Sequence, residues 1–329
     1  MSKNILLCLG TVLLLLGVLE LTAGFLVHKD TTIEVTPLFN VAHDEHLGYT
    51  LHKNAAHTAT LAREDGSICY NVTYTTDEHG RRIVPQTEGE QHLLIFGGSV
   101  AYGQGLQDQD TLQYHLARHL PAIVSNYAVH GYGPSHALAQ IDAGVPASDA
   151  ALFFFIPAHV NRVVGNTLAW WLYDSPYYYL VNDELRRDGS FRTGRPVRTR
   201  VYERFLWVKE RSNFLQVANV NLPLWATKDD VEVTAAVLAA AKVSYEAQTN
   251  GTFIVVFHPE WNRTQDKRGY TAFTHAFAAH NVTVLDYSDY PYTDDKIIPC
   301  DNHPNGVLNK ELAALIADDP LVLSLKKDS

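Results

Sequence analysis

The stretch Leu93-Leu94-Ile95-Phe96-Gly97-Gly98-Ser99-Val100-Ala101-Tyr102-Gly103 decides the reading of this chain. Four apolar residues make a short buried strand, two glycines break it, and a serine follows where a helix begins. In an open α/β sheet that position is the C-terminal edge, where such folds place their sites. The glycines permit unusual dihedrals and a close approach of substrate to backbone. A serine is a weak nucleophile and needs a base. The rival readings are a plain glycine turn and a phosphate-binding turn, and no Gly-Lys-Ser/Thr follows to support the second.

Working outward, residues 92–96, 122–127, 151–156 and 252–257 read as strands, with 282–285 as a shorter fifth. Helical patterns alternate with them, the mark of a parallel sheet covered on both faces. Leu112, Leu116 and Leu120 recur at helical spacing after Asp110, which predicts an N-cap there. Residues 233–247 and 309–317 predict two more helices. The expected architecture is a three-layer α/β/α fold at residues 91–320. A stretch at about 163–230 is far longer than the roughly 2–6 residues usual for such connections and reads as an insertion. It carries Trp170, Trp171, Tyr173, Tyr177, Tyr178 and Tyr179, which either line a sugar- or acyl-binding surface or pack the insertion onto the domain.

A general base is offered by Pro299-Cys300-Asp301-Asn302-His303-Pro304-Asn305-Gly306. A carboxylate and an imidazole in one proline-bounded loop can hydrogen-bond, Asp301 holding one ring nitrogen of His303 so that the other faces Ser99. The chain has 16 histidines, and this one is singled out by its acidic neighbour and its place after the last strand. A metal site built on Asp301, His303 and His258 is the rival, but no tight ligand spacing occurs.

The N-terminal side is of another kind. Residues 5–27 are apolar apart from Glu20 and a few small or hydroxyl residues, and as a helix would span about 35 Å, enough for a bilayer. Lys3 before the segment favours a cytoplasmic N-terminus and an extracytoplasmic domain, periplasmic or extracellular, against Lys29 on the far side. Residues 1–29 are therefore either an uncleaved anchor or a signal sequence with Leu21-Thr22-Ala23 as a poor cleavage site. Residues 30–90 read as a small β-rich segment, residues 70–75 alternating as a strand does. Cys69 and Cys300 lie outside the apolar segment; they are either a disulfide or two unrelated thiols. The four Asn-x-Ser/Thr sites, at Asn71, Asn250, Asn262 and Asn281, read as glycosylation sites only in a eukaryotic secretory pathway and otherwise as chance.

The 329 residues are 46% hydrophobic, with a formal net charge of -10 and one mildly basic stretch at 186–211. Nucleic acid is not an expected partner.

The chain resembles the SGNH hydrolases, also called GDSL esterases, over residues 92–315. The resemblance makes Ser99 the nucleophile, with Gly98 standing where the family often has aspartate. It carries over Gly131, five residues after Asn126, as an oxyanion donor beside the Ser99 amide. The family's third block is Gly-x-Asn-Asp; here Ile156-Pro157-Ala158-His159-Val160-Asn161-Arg162 puts His159 at the asparagine position, with Asn161 as the near alternative. The usual Asp-x-x-His would place the acid at Cys300, whereas this chain has Asp-x-His. The resemblance implies a serine esterase acting on carboxylic esters, O-acetyl esters among them, in the cell envelope, with no metal or organic cofactor. Its substrate would be an ester-bearing small molecule, glycan or lipid, and its membrane contact the N-terminal helix. The alternatives are an O-acyltransferase modifying an exported glycan, and a non-catalytic glycan-binding or assembly component.

Overall fold

The computed structural model describes residues 3–26, 32–84, 89 and 91–325. The end of the predicted apolar segment at residue 27, Lys29, and the predicted boundaries at 29–30 and 90 lie outside the described residues. Helix α1 (Lys3–Leu26) is 24 residues long with a mean hydropathy of 2.4 over its most apolar window, and none of that window is buried. It is long and apolar enough to cross a membrane. After it, β1 (Thr32–Glu34), β4 (Ala56–Arg63) and β5 (Ile68–Thr75) form an antiparallel sheet, and β2 (Val41–Asp44) pairs with β3 (Gly48–Leu51). Tyr70, Val72 and Tyr74 of β5 are buried, as period-two alternation requires of a half-covered strand.

The main domain then runs β6 (Gln91–Phe96), α2 (Ser99–Tyr102), α3 (Leu112–His119), β7 (Ala122–Asn126), α4 (Pro134–Asp142), β8 (Ala150–Phe155) and α5 (His159–Val163). The insertion contributes a hairpin, β9 (Pro176–Val181) with β10 (Glu184–Ser190), and helices α6 (Phe191–Gly194), α7 (Pro196–Lys209) and α8 (Asn213–Val217). The hairpin turns on Asn182 and Asp183, both at positive φ, the geometry of a type I′ turn. The chain closes with α9 (Lys228–Thr249), β11 (Thr252–Phe257), α10 (Glu260–Thr264), α11 (Lys267–Ala279), β12 (Thr283–Asp286), α12 (Gly306–Ala317) and α13 (Pro320–Ser324).

Five strands make one parallel sheet in the order β12-β11-β8-β6-β7. Counted along the chain from β6, this is the doubly wound order 2-1-3-4-5, which reverses between β6 and β8. Strand residues alternate between two apolar layers. Leu93, Ile95, Leu152, Phe154, Ile254 and Val256 share a cluster with Leu116 of α3 and Leu312 of α12. Leu94, Phe96, Phe153, Phe155, Val255 and Phe257 share the other with Leu138 of α4, Leu238 of α9 and Phe277 of α11. The expected three-layer α/β/α architecture is therefore the one adopted. One local expectation is corrected: Asp110 lies in a 3-10 turn, and Thr111 caps α3, its hydroxyl accepting from the Tyr114 amide at 3.4 Å. The extra turn shifts the cap by one residue.

Candidate active site

The reversal between β6 and β8 opens a crevice at the C-terminal ends of both strands, and Ser99 sits at its base. Phe96 ends β6, and Ser99 is the first residue of α2, 6% exposed. Gly98 is required by close approach: a Cβ there would collide with the Arg162 guanidinium and lie 2.7 Å from the Tyr132 carbonyl oxygen. The Ser99 amide has no acceptor among the described residues.

Opposite lies the loop after β12. Ile298 donates its amide to the His303 carbonyl at 2.8 Å, and Asn302 donates to Ile298 at 3.0 Å. Asn305 then caps α12, its side-chain oxygen accepting from Val307 at 3.0 Å and Leu308 at 3.3 Å. Cys300 in the same loop forms a disulfide with Cys69 of β5, with a Cα–Cα separation of 6.0 Å. The pair left open by the sequence is thus bonded, and it fastens this loop to the β-rich segment.

Within that frame His303 Nδ1 lies 2.9 Å from Asp301 Oδ2, and His303 Nε2 lies 2.8 Å from Ser99 Oγ. An ionised carboxylate only accepts, so Nδ1 carries the proton and Nε2 is free to accept from the serine hydroxyl. Asp301 also accepts from Gln104 Nε2 at 3.4 Å, and its side chain is 10% exposed against 22% for His303. The arrangement can take a proton from Ser99 while the imidazolium that forms is held by Asp301.

The cavity in front of Ser99 measures about 370 Å³ and is lined by Ile156, Ala158, Arg162, Glu260, Arg263, Asp301 and His303 among others. His159, expected as an oxyanion donor, is not among the lining residues. Its ring is fully buried against Phe153 and Phe155, at centroid separations of 5.2 and 5.6 Å. Its Nδ1 accepts from the Ile156 amide at 3.3 Å, so the proton on Nε2 points into the apolar layer. Burial, then the positive charge of Arg162, drives its pKa well below the usual value. Asn161 lies outside the lining as well; its carbonyl accepts from the Asn166 amide at 2.9 Å.

From the same short helix it is Arg162, not His159, that lines the cavity. Its guanidinium donates to the Tyr132 carbonyl, and no carboxylate forms an ion pair with it among the described residues. Burial lowers its pKa, with Tyr49 and Glu260 acting in the opposite direction. A guanidinium stays charged at neutral pH, so the cavity wall beside Ser99 carries a positive charge with a single neutral acceptor. Glu260 lines the same wall, its pKa raised by desolvation against the fields of His303, Arg162 and Arg263.

Gly131 has a φ of +79°, and a Cβ there would lie 2.5 Å from Tyr49 Oη and 2.6 Å from Trp171 Nε1. Its amide has no acceptor among the described residues. Tyr49 of β3 donates to the His130 carbonyl at 2.7 Å, and Tyr132 donates back to the Tyr49 carbonyl, so the β-rich segment grips this loop from both sides. The insertion's rings divide: Tyr173, Tyr177 and Tyr178 are buried, whereas Trp170 and Trp171 stay 59% and 40% exposed.

Sequence reasoning did not single out Arg82. Only 1% exposed, it pairs with Asp108 at 2.9 Å and donates to the carbonyls of Tyr102, Gly103 and Leu106, locking the turn behind Ser99. Its position after a turn signal gave no hint of burial. Among the described residues no group of three His, Cys, Asp or Glu side chains is placed to hold a metal ion.

No protein-family model and no curated protein sequence matches the chain. Solved structures do resemble it at low identity. The psychrotrophic esterase EstA from Pseudoalteromonas sp. is 13% identical, with 72% of this chain and 100% of that one covered and a TM-score of 0.40. A carbohydrate esterase family 2 enzyme with a carbohydrate binding domain, from Corynascus thermopiles (Myceliophthora fergusii), is 11% identical, covering 90% and 99%, with a TM-score of 0.43. A putative lipolytic protein of the G-D-S-L family from Desulfitobacterium hafniense is 10% identical, covering 69% and 98%, with a TM-score of 0.33.

Proposed function

We propose that this chain is an exported serine esterase that cleaves carboxylic esters, O-acetyl esters among them, with Ser99 as nucleophile and His303 as general base. The observation that carries the reading is the continuous relay Asp301–His303–Ser99, at 2.9 and 2.8 Å, opening onto a cavity at the sheet's switch point. His303 removes the hydroxyl proton as Ser99 Oγ attacks the ester carbonyl, and returns it to the leaving alcohol. Water, activated by the same imidazole, then resolves the acyl-enzyme. The oxyanion is held by the amides of Ser99 and Gly131, with the Arg162 guanidinium in place of the side chain expected at His159 or Asn161. A half-buried cation with no direct ion pair among the described residues, sharing the cavity wall with Glu260, suits a negative charge that exists only during the reaction.

A disulfide persists in oxidising compartments, and α1 is apolar enough to span a bilayer. Both support a domain held outside the cytoplasm by an N-terminal anchor. The exposed indole of Trp171, close against Gly131, supports a second reading in which a sugar hydroxyl replaces water as acceptor.

Turnover of p-nitrophenyl acetate by the full chain, compared with Ser99→Ala and His303→Ala, tests the first reading. Equal rates in all three proteins would remove it. Acetate released against acetate transferred to an added glycan separates hydrolysis from transfer.

A further inference from the structure

One face of the insertion is left without an occupant by the esterase chemistry. Along α7 only Thr199 is buried, while Val197, Val201, Trp207 and Val208 are 70%, 51%, 59% and 46% exposed. The three valines, at i, i+4 and i+11, fall on one helical stripe. Phe214 and Val217 of α8 add 36% and 44% exposed apolar side chains, and α8 is tied to α7 through Gln216 Nε2, which donates to the carbonyls of Lys209 and Glu210. A soluble surface rarely leaves so much apolar area uncovered in one place.

The neighbouring helix says what covers it. Glu20 of α1 accepts from the Ser212 hydroxyl at 2.8 Å, the Asn213 amide and the Phe214 amide at 3.3 Å, so it caps the first turn of α8. One turn further on, a Cβ on Gly24 would meet the Asn213 side chain at 3.3 Å. At about 1.5 Å per residue Glu20 stands about 22 Å along the axis from Ile5, toward the far edge of a hydrocarbon core about 30 Å thick. Gly24 stands about 28 Å along by the same count, so the start of α8, which touches both residues, sits just inside the outer edge of the hydrocarbon core if α1 crosses it. Charge agrees with that placement. Arg200, Arg204 and Arg211 are exposed on the same limb, Glu203 is engaged by Arg192 at 2.6 Å, Glu210 lies 3.8 Å from Arg211, and Arg211 lies over the Trp207 ring at 4.2 Å, so the limb keeps an excess of positive charge. Tryptophan with arginine is the side-chain pairing that settles at lipid headgroups.

We propose that α7 and α8 lie on the outer face of the bilayer, with Trp207, Phe214 and Val217 at headgroup depth and Arg200, Arg204 and Arg211 against anionic lipid. The inference rests on the anchor reading of α1 and adds to it a second membrane contact, which fixes the height and tilt of the Ser99 cavity above the surface.

The test is tryptophan quenching in the full chain, reconstituted into phosphatidylcholine–phosphatidylglycerol vesicles containing lipid brominated near the headgroup. The wild type should be quenched, Trp207→Phe should lose a share of that quenching, and Trp261→Phe, which removes a buried indole, should lose none. Reversing Arg200, Arg204 and Arg211 to glutamate should reduce the quenching while turnover of a soluble ester is unchanged. Equal quenching of wild type and Trp207→Phe, in protein that floats with the vesicles, would overturn the proposal and leave the anchor standing. Failure to float would remove the anchor reading and this inference with it. A shift from dimer to monomer in Trp207→Phe without a change in quenching would mark the face as a subunit contact, and would overturn it too.

Discussion

The guanidinium of Arg162 lies directly over the α-carbon of Gly98, the residue before Ser99, where any side chain would displace it. The two positions form one device: the missing side chain at 98 is what lets a cation reach the wall of the cavity.

If that cation stabilises the oxyanion, Arg162→Met should lower kcat by roughly 10²–10³ with KM little changed, because the interaction strengthens only as charge develops. Gly98→Ala should do similar damage by displacing Arg162, and should also destabilise the fold by about 1–3 kcal/mol, since the Tyr132 carbonyl is backbone and cannot swing away. Steady-state kinetics with thermal melts separates the two effects. Unchanged kcat in Arg162→Met would leave the oxyanion to the backbone amides alone.

Asp301 fixes the His303 tautomer across 2.9 Å and is itself held by Gln104. Asp301→Asn should keep the fold but offer an amide where an acceptor is needed, lowering kcat by on the order of 10²–10⁴. Ser99→Ala and His303→Ala should each cost about as much as the two together, because the residues act as one unit. Independent, multiplying losses would show that His303 does not serve Ser99.

Three fully buried imidazoles, His136, His159 and His258, give the fold an acid limit, and the half-buried ring of His130 adds to it. His136 and His258 are pushed down to about 3 chiefly by burial, and His130 likewise by burial and then by the charges of Arg162 and His303. In the unfolded chain each would titrate near about 6.5. Below that pH the unfolded state binds protons that the folded state refuses, so the stability is fully present above about 6.5 and is lost as pH falls toward 3. Each fully buried imidazole should contribute a loss of about 1.4 kcal/mol per pH unit in that window. Urea unfolding at pH 7 and pH 5 measures it, and equal stability at the two would refute the assignment.

These groups also mark how far the sequence could be read. The five strands of the main sheet were legible because residues such as Ile95, Phe153 and Val255 are buried on both faces and leave uninterrupted apolar runs. Ser99 was legible from its glycines, and His303 from Asp301, since those relations are local. Arg162 was not: three positions from His159, it reads as an anchor for the insertion, and only the tertiary approach to Gly98 brings it to the cavity. The same short helix was expected to present His159, but Phe153 and Phe155 absorb that ring instead. The insertion's aromatics could not be apportioned either, because nothing local distinguishes buried Tyr177 from exposed Trp170.

The Cys69–Cys300 bond closes a loop of 231 residues and ends beside Asp301. Replacing both cysteines by serine should cost about 2–4 kcal/mol of stability through the unfolded chain's gained entropy. It should also free the Asp301–His303 loop from β5, so activity should fall at temperatures well below the melting point. Activity lost only in step with global unfolding would confine the bond to a stabilising role.

Arg82 supplies the strictest test of how the nucleophile is held. Its side chain is wholly buried while that of Asp108 is 24% exposed, and its remaining donors satisfy three carbonyls in the turn after α2. Arg82→Met keeps the length of the side chain but strands those carbonyls and leaves Asp108 with only its Thr75 donors, so a loss of about 3–5 kcal/mol is expected. Asp108→Asn should cost less, because a partner that is 24% exposed can turn in part to water. If the turn is what seats Ser99, Arg82→Met should lose turnover at temperatures where circular dichroism still reports a folded domain. A variant that is destabilised yet turns over normally until it melts would make Arg82 a fastening of the β-rich segment alone.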